Sequence, residues 1–209
     1  MNEEKSTATR ETAYERESER LHKLVLTGLM AALCYVAFTI LKIPIPTPGG
    51  GATALHIGNA FCVLAALILG GGYGGVAGSL GMTIADLMSP AYVASAPKTF
   101  VLKLMIGLIS GFVAHRIAHI TEEHDRGYIM KWSVLASAAG LGFNVIMDPL
   151  VGYLYKTYLL GIPQEASKIM ATWAAGATAF NAVVGTVVVV VVYAALRPIL
   201  KKTGYLYKI

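Results

Sequence analysis

The sequence predicts an all-α integral membrane protein, a bundle of six transmembrane helices with both termini on the cytoplasmic side. Three observations carry this expectation. Hydrophobic residues make up 56% of the 209 positions and charged residues only 14%, whereas a soluble domain carries about 25% charged residues. The apolar residues gather into six runs, most of them near the roughly 20 residues that a span needs. Lysine and arginine concentrate at one set of run ends, which marks the cytoplasmic face.

The runs follow one another in a clear order. Residues 1–22 form a charged arm, with Glu3, Glu4, Glu11, Glu15, Glu17 and Glu19 set against Lys5, Arg10, Arg16 and Arg20. Such a segment buries little apolar surface and is expected to be solvated, disordered or partly helical. No cleavable leader is expected, because the first apolar run begins only near Leu24. Residues 23–198 form the membrane domain and 199–209 a cytoplasmic tail. The six runs are 23–41, 56–69, 73–88, 99–118, 132–153 and 166–196. The second is short, so it either starts within 52–55 or tilts toward the bundle centre. The sixth is long enough to include an interfacial turn at its start.

The connections differ in chemistry. The stretch Ile43-Pro-Ile-Pro-Thr-Pro-Gly-Gly-Gly-Ala52 cannot be a continuous helix. It is either a plain connector or a lid, and its length and outward position favour a lid. Gly70–Gly72 reads as a tight turn. Residues 89–97 form the third connection. The fourth, 119–131, is polar and charged. The fifth holds Tyr153, Tyr155, Lys156, Tyr158, Gly161 and Pro163.

Six spans place both termini and the second and fourth connections on one side. That side carries Lys5, Arg10, Arg16, Arg20, Lys23, Arg116, Arg126, Lys131, Arg197, Lys201, Lys202 and Lys208. The opposite side carries Lys42, Lys98, Lys156 and Lys168, with Lys103 inside the fourth run. The basic side is cytoplasmic by the positive-inside rule. The net charge of +5 therefore reflects membrane flanks and does not point to nucleic acid.

Against that orientation the polar residues fall at one end. His56 and Asn59 open the second run from outside, and Asp86 closes the third. Lys98 and Lys103 begin the fourth, Asn144 and Asp148 lie in the outer half of the fifth, and Asn181 lies near the middle of the sixth. Ionisable groups in hydrocarbon are costly and usually face a functional interior. The cytoplasmic halves offer mainly Gly, Ala, Val and Leu. A pore or a self-sufficient carrier needs a polar route to both faces or matched broken helices in two repeats. The pattern predicts instead an outward-facing cavity with a closed floor. Asp86, Lys103 and Asp148 are either ligand contacts or a structural ion pair. Neighbouring Asn, His and Tyr residues favour ligand contact, since they supply donors and acceptors for a polar heterocycle, and the charged set itself suits a small polar heterocycle or an amine. Tyr92 lies near the outer boundary with Tyr153, Tyr155, Tyr158 and Trp173, and one or two of these five are candidates for stacking on a ring-shaped ligand. Tyr153, Tyr155, Tyr158 and Trp173 read mainly as an interfacial aromatic belt.

Other motifs carry less. His115 and His119 are four residues apart and precede Glu122, Glu123 and His124, a spacing compatible with zinc. Nothing else converges on them, so a solvated loop is the better reading and no metal site is expected. Cys34 and Cys62 lie in apolar runs and read as small buried hydrophobes. No catalytic residues or cofactor are expected. The spans contain no His-Glu-x-x-His motif, no Gly-x-Ser-x-Gly elbow and no paired glutamates. Small residues recur at i, i+4 in Gly28/Ala32, Gly74/Gly78 and Gly107/Gly111, which lets helices approach closely. Most should pack inside the bundle, while Gly28 and Ala32 offer a smooth face for another membrane protein.

Several stretches together resemble the substrate-binding S-components of energy-coupling factor (ECF) transporters, riboflavin-type branch. They are His56-Ile-Gly-Asn-Ala-Phe61, Leu69-Gly-Gly-Gly-Tyr-Gly-Gly75, Ala85-Asp86-Leu87, Ala96-Pro97-Lys98-Thr99-Phe100 with Lys103, Gly107 and Gly111, and Ala179-Phe180-Asn181. The resemblance covers residues 24–198. It implies a six-helix subunit of a prokaryotic cytoplasmic membrane that captures a small water-soluble vitamin or precursor from outside. Riboflavin, pyridoxine-like compounds and pyrimidine precursors are within the implied range. It further implies a transmembrane coupling subunit and two separate ATPase subunits as partners. The family's Ala-x-x-x-Ala coupling motif corresponds here to Gly28 and Ala32, with Gly in place of one Ala. The expected binding residues are His56, Asn59, Asp86, Tyr92, Lys103, Asn144, Asp148 and Asn181. The rival reading is a stand-alone, ion-coupled secondary transporter of a small polar metabolite.

Overall fold

All six apolar runs are helical in the computed structural model, which describes residues 2–48 and 51–206. Gly49 and Gly50 of the Pro/Gly connection and Lys208 of the tail lie outside the described residues. The helices are α1 (Asn2–Ile40), α2 (Gly58–Leu69), α3 (Gly71–Leu87), α4 (Ala96–Gly111), α5 (Arg126–Leu154) and α6 (Gln164–Lys202). Two strands, β1 (Lys42–Thr47) and β2 (Gly51–His56), pair antiparallel between α1 and α2. Four helical stretches are long and apolar enough to cross a membrane: Arg16–Ile40, Val93–Ile117, Arg126–Leu159 and Gln164–Lys202.

The shortness of the second run has a structural reason. Helix α2 has 12 residues, about 18 Å at 1.5 Å per residue. Every one of them except Phe61 is buried. A helix that is apolar all round belongs at the centre of a bundle, and α1, α3, α4 and α6 all pack against this one. It does not begin within residues 52–55, as one sequence reading allowed. That stretch is strand β2, which continues the chain outward from the helix. The Pro/Gly connection is thus a hairpin, with Pro44 opposite Ala54 and Pro46 opposite Ala52. Proline cannot donate to a ladder, so it suits a strand that has only one neighbour.

The glycine-rich stretch at residues 70–75 is less of a turn than its composition implies. Gly70 alone makes the turn, at φ 87°, a conformation costly for residues with a Cβ. Residues from Gly71 onward are already helix α3. Those glycines serve packing. A methyl group at Gly107 of α4 would strike the backbone of Gly75, and one at Gly111 would strike that of Gly71. On the other face of α3, Gly74 lies against the backbone of Ala66 and Gly78 against Cys62. The i, i+4 glycines therefore bring α2, α3 and α4 close together, as their spacing predicts. Cys34 of α1 and Cys62 of α2 are buried free thiols with sulfurs 4.0 Å apart.

Opposite the hairpin, the bundle is tied by polar contacts at its basic end. Arg197 of α6 donates to the carbonyls of Ile120 and Glu122 at 3.1 and 2.7 Å. Lys201 pairs with Glu123. Lys201 holds the exposed Glu123 carboxyl below the usual range, mainly through their hydrogen bond. The sequence placed His115 in a solvated loop, but it is buried, and a ring nitrogen lies 2.9 Å from the Ala66 carbonyl. It turns inward because α4 continues as a π-helical stretch through Phe112–Ile117, which carries it against α2. Asp125 caps α5 by accepting from the Tyr128 N–H, so part of the fourth connection is already helix.

Candidate functional site

A cavity lies under the hairpin, at the end of the bundle away from Arg197 and Lys201. Phe38 at the end of α1 and Thr47 and residues 52–54 of the hairpin form one side of its wall. Helices α2 to α6 complete it. Met82 and Asp86 lie one turn apart on α3, and Thr99 and Lys103 one turn apart on α4. From α6 come Met170, Ala174, Thr178 and Asn181, a single stripe at helical spacing.

Asp148 of α5 accepts a hydrogen bond from the Lys98 ammonium at 2.8 Å, and the two side chains are 15% and 12% exposed. Asp86 is 3% exposed and accepts from the Thr99 hydroxyl at 2.5 Å. Lys103 is 6% exposed and donates to the Asn144 side-chain oxygen at 3.2 Å. The sequence left Asp86, Lys103 and Asp148 as one possible ion-paired group. The structure divides them, because the partner of Asp148 is Lys98, on the first turn of α4.

The hairpin is held by α6. Asn181 accepts from the His56 backbone N–H and donates to the Ala54 carbonyl, both at 3.0 Å. A side-chain amide suits this task because it offers a donor and an acceptor together. His56 accepts the Gly58 N–H at Nδ1, 3.2 Å away, so in the neutral ring the proton sits on Nε2. Its ring meets Phe38 edge-on at 4.8 Å. Tyr92 donates to the Thr53 carbonyl at 3.4 Å. Lys42 lies 5.0 Å from the Phe38 ring centre and 4.9 Å from that of Tyr92, within cation–π range. Two buried polar atoms, the Asn59 Oδ1 acceptor and the Thr47 Oγ1 hydroxyl, have no hydrogen-bond partner among the described residues.

Seven of the eight candidate residues therefore share one cavity wall: His56, Asn59, Asp86, Tyr92, Lys103, Asp148 and Asn181. The eighth, Asn144, stands behind Lys103 as its partner. Lys98, Thr99, Lys156, Met170, Ala174 and Thr178 also line the cavity but were not among the candidate binding residues. Thr99 was detectable as the residue one turn before Lys103. Lys156 was not, because a π-helical stretch over Tyr155–Leu159 extends α5 beyond the apparent end of the run. Gly28 and Ala32 are exposed on α1, and nothing lies within 4 Å of a methyl group placed on Gly28. Tyr158 and Trp173 are also exposed.

A family model described as "ECF-type riboflavin transporter, S component" matches residues 19–198. A search of curated proteins and a search of solved structures gave no match.

Proposed function

The chain belongs to the family of ECF-type riboflavin transporter S components, and from that premise we propose that it captures a small water-soluble vitamin or vitamin precursor at the outer face of a prokaryotic cytoplasmic membrane. In this reading all six helices lie within the bilayer, with α2 and α3 as the short central pair and both termini cytoplasmic. His56, Asn59, Asp86, Tyr92, Lys103, Asp148 and Asn181 contact the ligand or hold the wall around it, and Asn144 positions Lys103. The hairpin is the lid.

The observation that carries the reading is the one-ended cavity. Polar groups cluster between the hairpin and the outer turns of the helices. Below them lie the apolar turns of α2 and the glycine contacts with α3 and α4. That arrangement suits capture and retention better than free passage. Passage inward then needs partners. The ligand-loaded chain would work with a transmembrane coupling subunit that meets α1 at Gly28 and Ala32, and with two ATPase subunits that hydrolyse ATP. The chain itself performs no chemistry.

Reconstitution tests this. Proteoliposomes holding this chain alone should bind labelled vitamin without accumulating it. Addition of the coupling subunit, the ATPases and ATP should produce uptake. Ion-driven accumulation by the chain alone would overturn the capture reading in favour of a secondary transporter.

A further inference from the structure

The charges around the cavity do not balance. Three lining lysines, Lys98, Lys103 and Lys156, face two lining carboxylates, Asp86 and Asp148. Lys42 adds a fourth cation over the cavity-lining rings of Phe38 and Tyr92. Asp148 is engaged by Lys98, and Asp86 accepts from Thr99. His56, whose Nδ1 accepts a backbone N–H, adds no negative charge. Of these four lysines only Lys103 is buried. It is 94% buried by its 6% exposure, and its hydrogen-bond partner is the neutral Asn144 amide. Among the described residues no carboxylate lies within 4.0 Å of it. An ammonium group has three donors, and a buried cation without a counter-charge is costly.

The second half of the pattern is a buried acceptor, Asn59 Oδ1, without a partner among the described residues. Thr47 Oγ1, a hydroxyl able to donate or accept, is buried in the same wall and is likewise without a partner among the described residues. Buried polar atoms are normally paired, so an unpaired one in a binding cavity indicates what the ligand brings.

Building on the capture reading above, we propose that the ligand of this site carries an anionic oxyacid group, carboxylate or phosphate, seated against Lys103, and an N–H or O–H donor directed at Asn59. Of the two ligand types the sequence left open, a polar heterocycle and an amine, this sets aside the amine. Asp86 and Asp148 then serve the wall, through Thr99 and Lys98, and are not counter-ions for an amine. The cavity discriminates against neutral analogues because they leave Lys103 without an anion in direct contact, a penalty that gives polar sites their selectivity.

The test uses the detergent-purified full chain. Small molecules retained through purification are extracted and identified by mass spectrometry. Binding is then measured for three matched pairs: nicotinamide and nicotinate, pyridoxine and 4-pyridoxate, riboflavin and its 5′-phosphate. The expected result is a retained acid, or preferential binding of the anionic member of a pair. The nicotinate and pyridoxate arms distinguish carboxylate from phosphate. Lys103→Met should weaken that binding at least tenfold, with Lys103→Arg retaining part of it. If Lys103→Met fails to fold, ligand identity in the unaltered chain decides alone. A neutral or cationic molecule as the tightest binder overturns the anion proposal and leaves vitamin capture standing. A folded protein that retains nothing and binds no member of any pair overturns both.

Discussion

Asn181 on α6 accepts a hydrogen bond from the backbone N–H of His56 at 3.0 Å, and its own N–H donates to Ala54 two residues earlier at the same distance. One side chain therefore holds the last three residues of β2, immediately before α2 begins. Asn181 is 2% exposed, so neither bond has water as a ready substitute. It is both a residue of the cavity wall and the latch of the lid.

Asn181→Ala should release the hairpin while leaving the bundle folded. Leaving two buried backbone groups unsatisfied costs roughly 1–3 kcal/mol each. That predicts at least a tenfold rise in amide exchange across residues 52–56. Hydrogen-exchange mass spectrometry of the purified chain checks it. Unchanged exchange would mean that other contacts, such as that of Tyr92 with Thr53, suffice to hold the lid. Asn181→Asp keeps the acceptor for His56 but sets a carboxylate against the Ala54 carbonyl, so it should release β2 as well.

The Lys98–Asp148 pair predicts an asymmetry between single and double variants. Removing one partner of a buried pair leaves an uncompensated charge and costs up to about 3–5 kcal/mol, whereas replacing both with apolar residues is often neutral. The residual exposure of 12% and 15% reduces that range. Asp148→Leu should therefore lower Tm more than the double variant Lys98→Met with Asp148→Leu. Thermal unfolding in detergent measures both. Equal losses in the single and double variants would show that the pair contributes little to folding.

Much of this arrangement was legible in the sequence, for physical reasons that differ between residues. Asp86, Lys103 and Asp148 stood out because charge inside an apolar run is costly and must have a use. The helix order followed from run length, and the glycine contacts of α3 with α4 from i, i+4 spacing. The hairpin was not legible. Prolines at 44 and 46 exclude a helix but do not specify a strand partner, and β2 is short and mixed in character. The partner of Asp148 was not legible either. Lys98 lies 50 residues away in the chain, and its pairing depends on how α4 and α5 pack. The role of Asn181 in holding backbone required the three-dimensional path of β2.

The same packing predicts a sharp response at Gly107. A methyl group there meets the backbone of Gly75, and backbone cannot rotate away as a flexible side chain can. Overpacking of this kind costs about 1–3 kcal/mol, more than the roughly 1 kcal/mol that Ala gains over Gly in helix propensity. Gly107→Ala should therefore lower Tm even though it favours the helix. An unchanged or higher Tm would show that α3 and α4 can separate slightly at no cost.

Gly28 should behave in the opposite way. It sits in the middle of α1, exposed, with open space where a side chain would point. Gly28→Leu removes the helix penalty of glycine, about 1 kcal/mol, without meeting any part of the chain. Thermal stability and ligand affinity should be unchanged or slightly improved. If this face meets the coupling subunit, the bulky side chain will prevent the close approach of helices that small residues permit. Assembly measured by co-purification, and uptake in reconstituted vesicles, should then fall at least tenfold while binding by the isolated chain persists. Intact assembly and uptake would remove Gly28 from the coupling surface and turn attention to other exposed faces of the bundle. Loss of binding together with uptake would instead mean that α1 shapes the cavity through Phe38, and would remove the separation between capture and coupling on which the docking assignment rests.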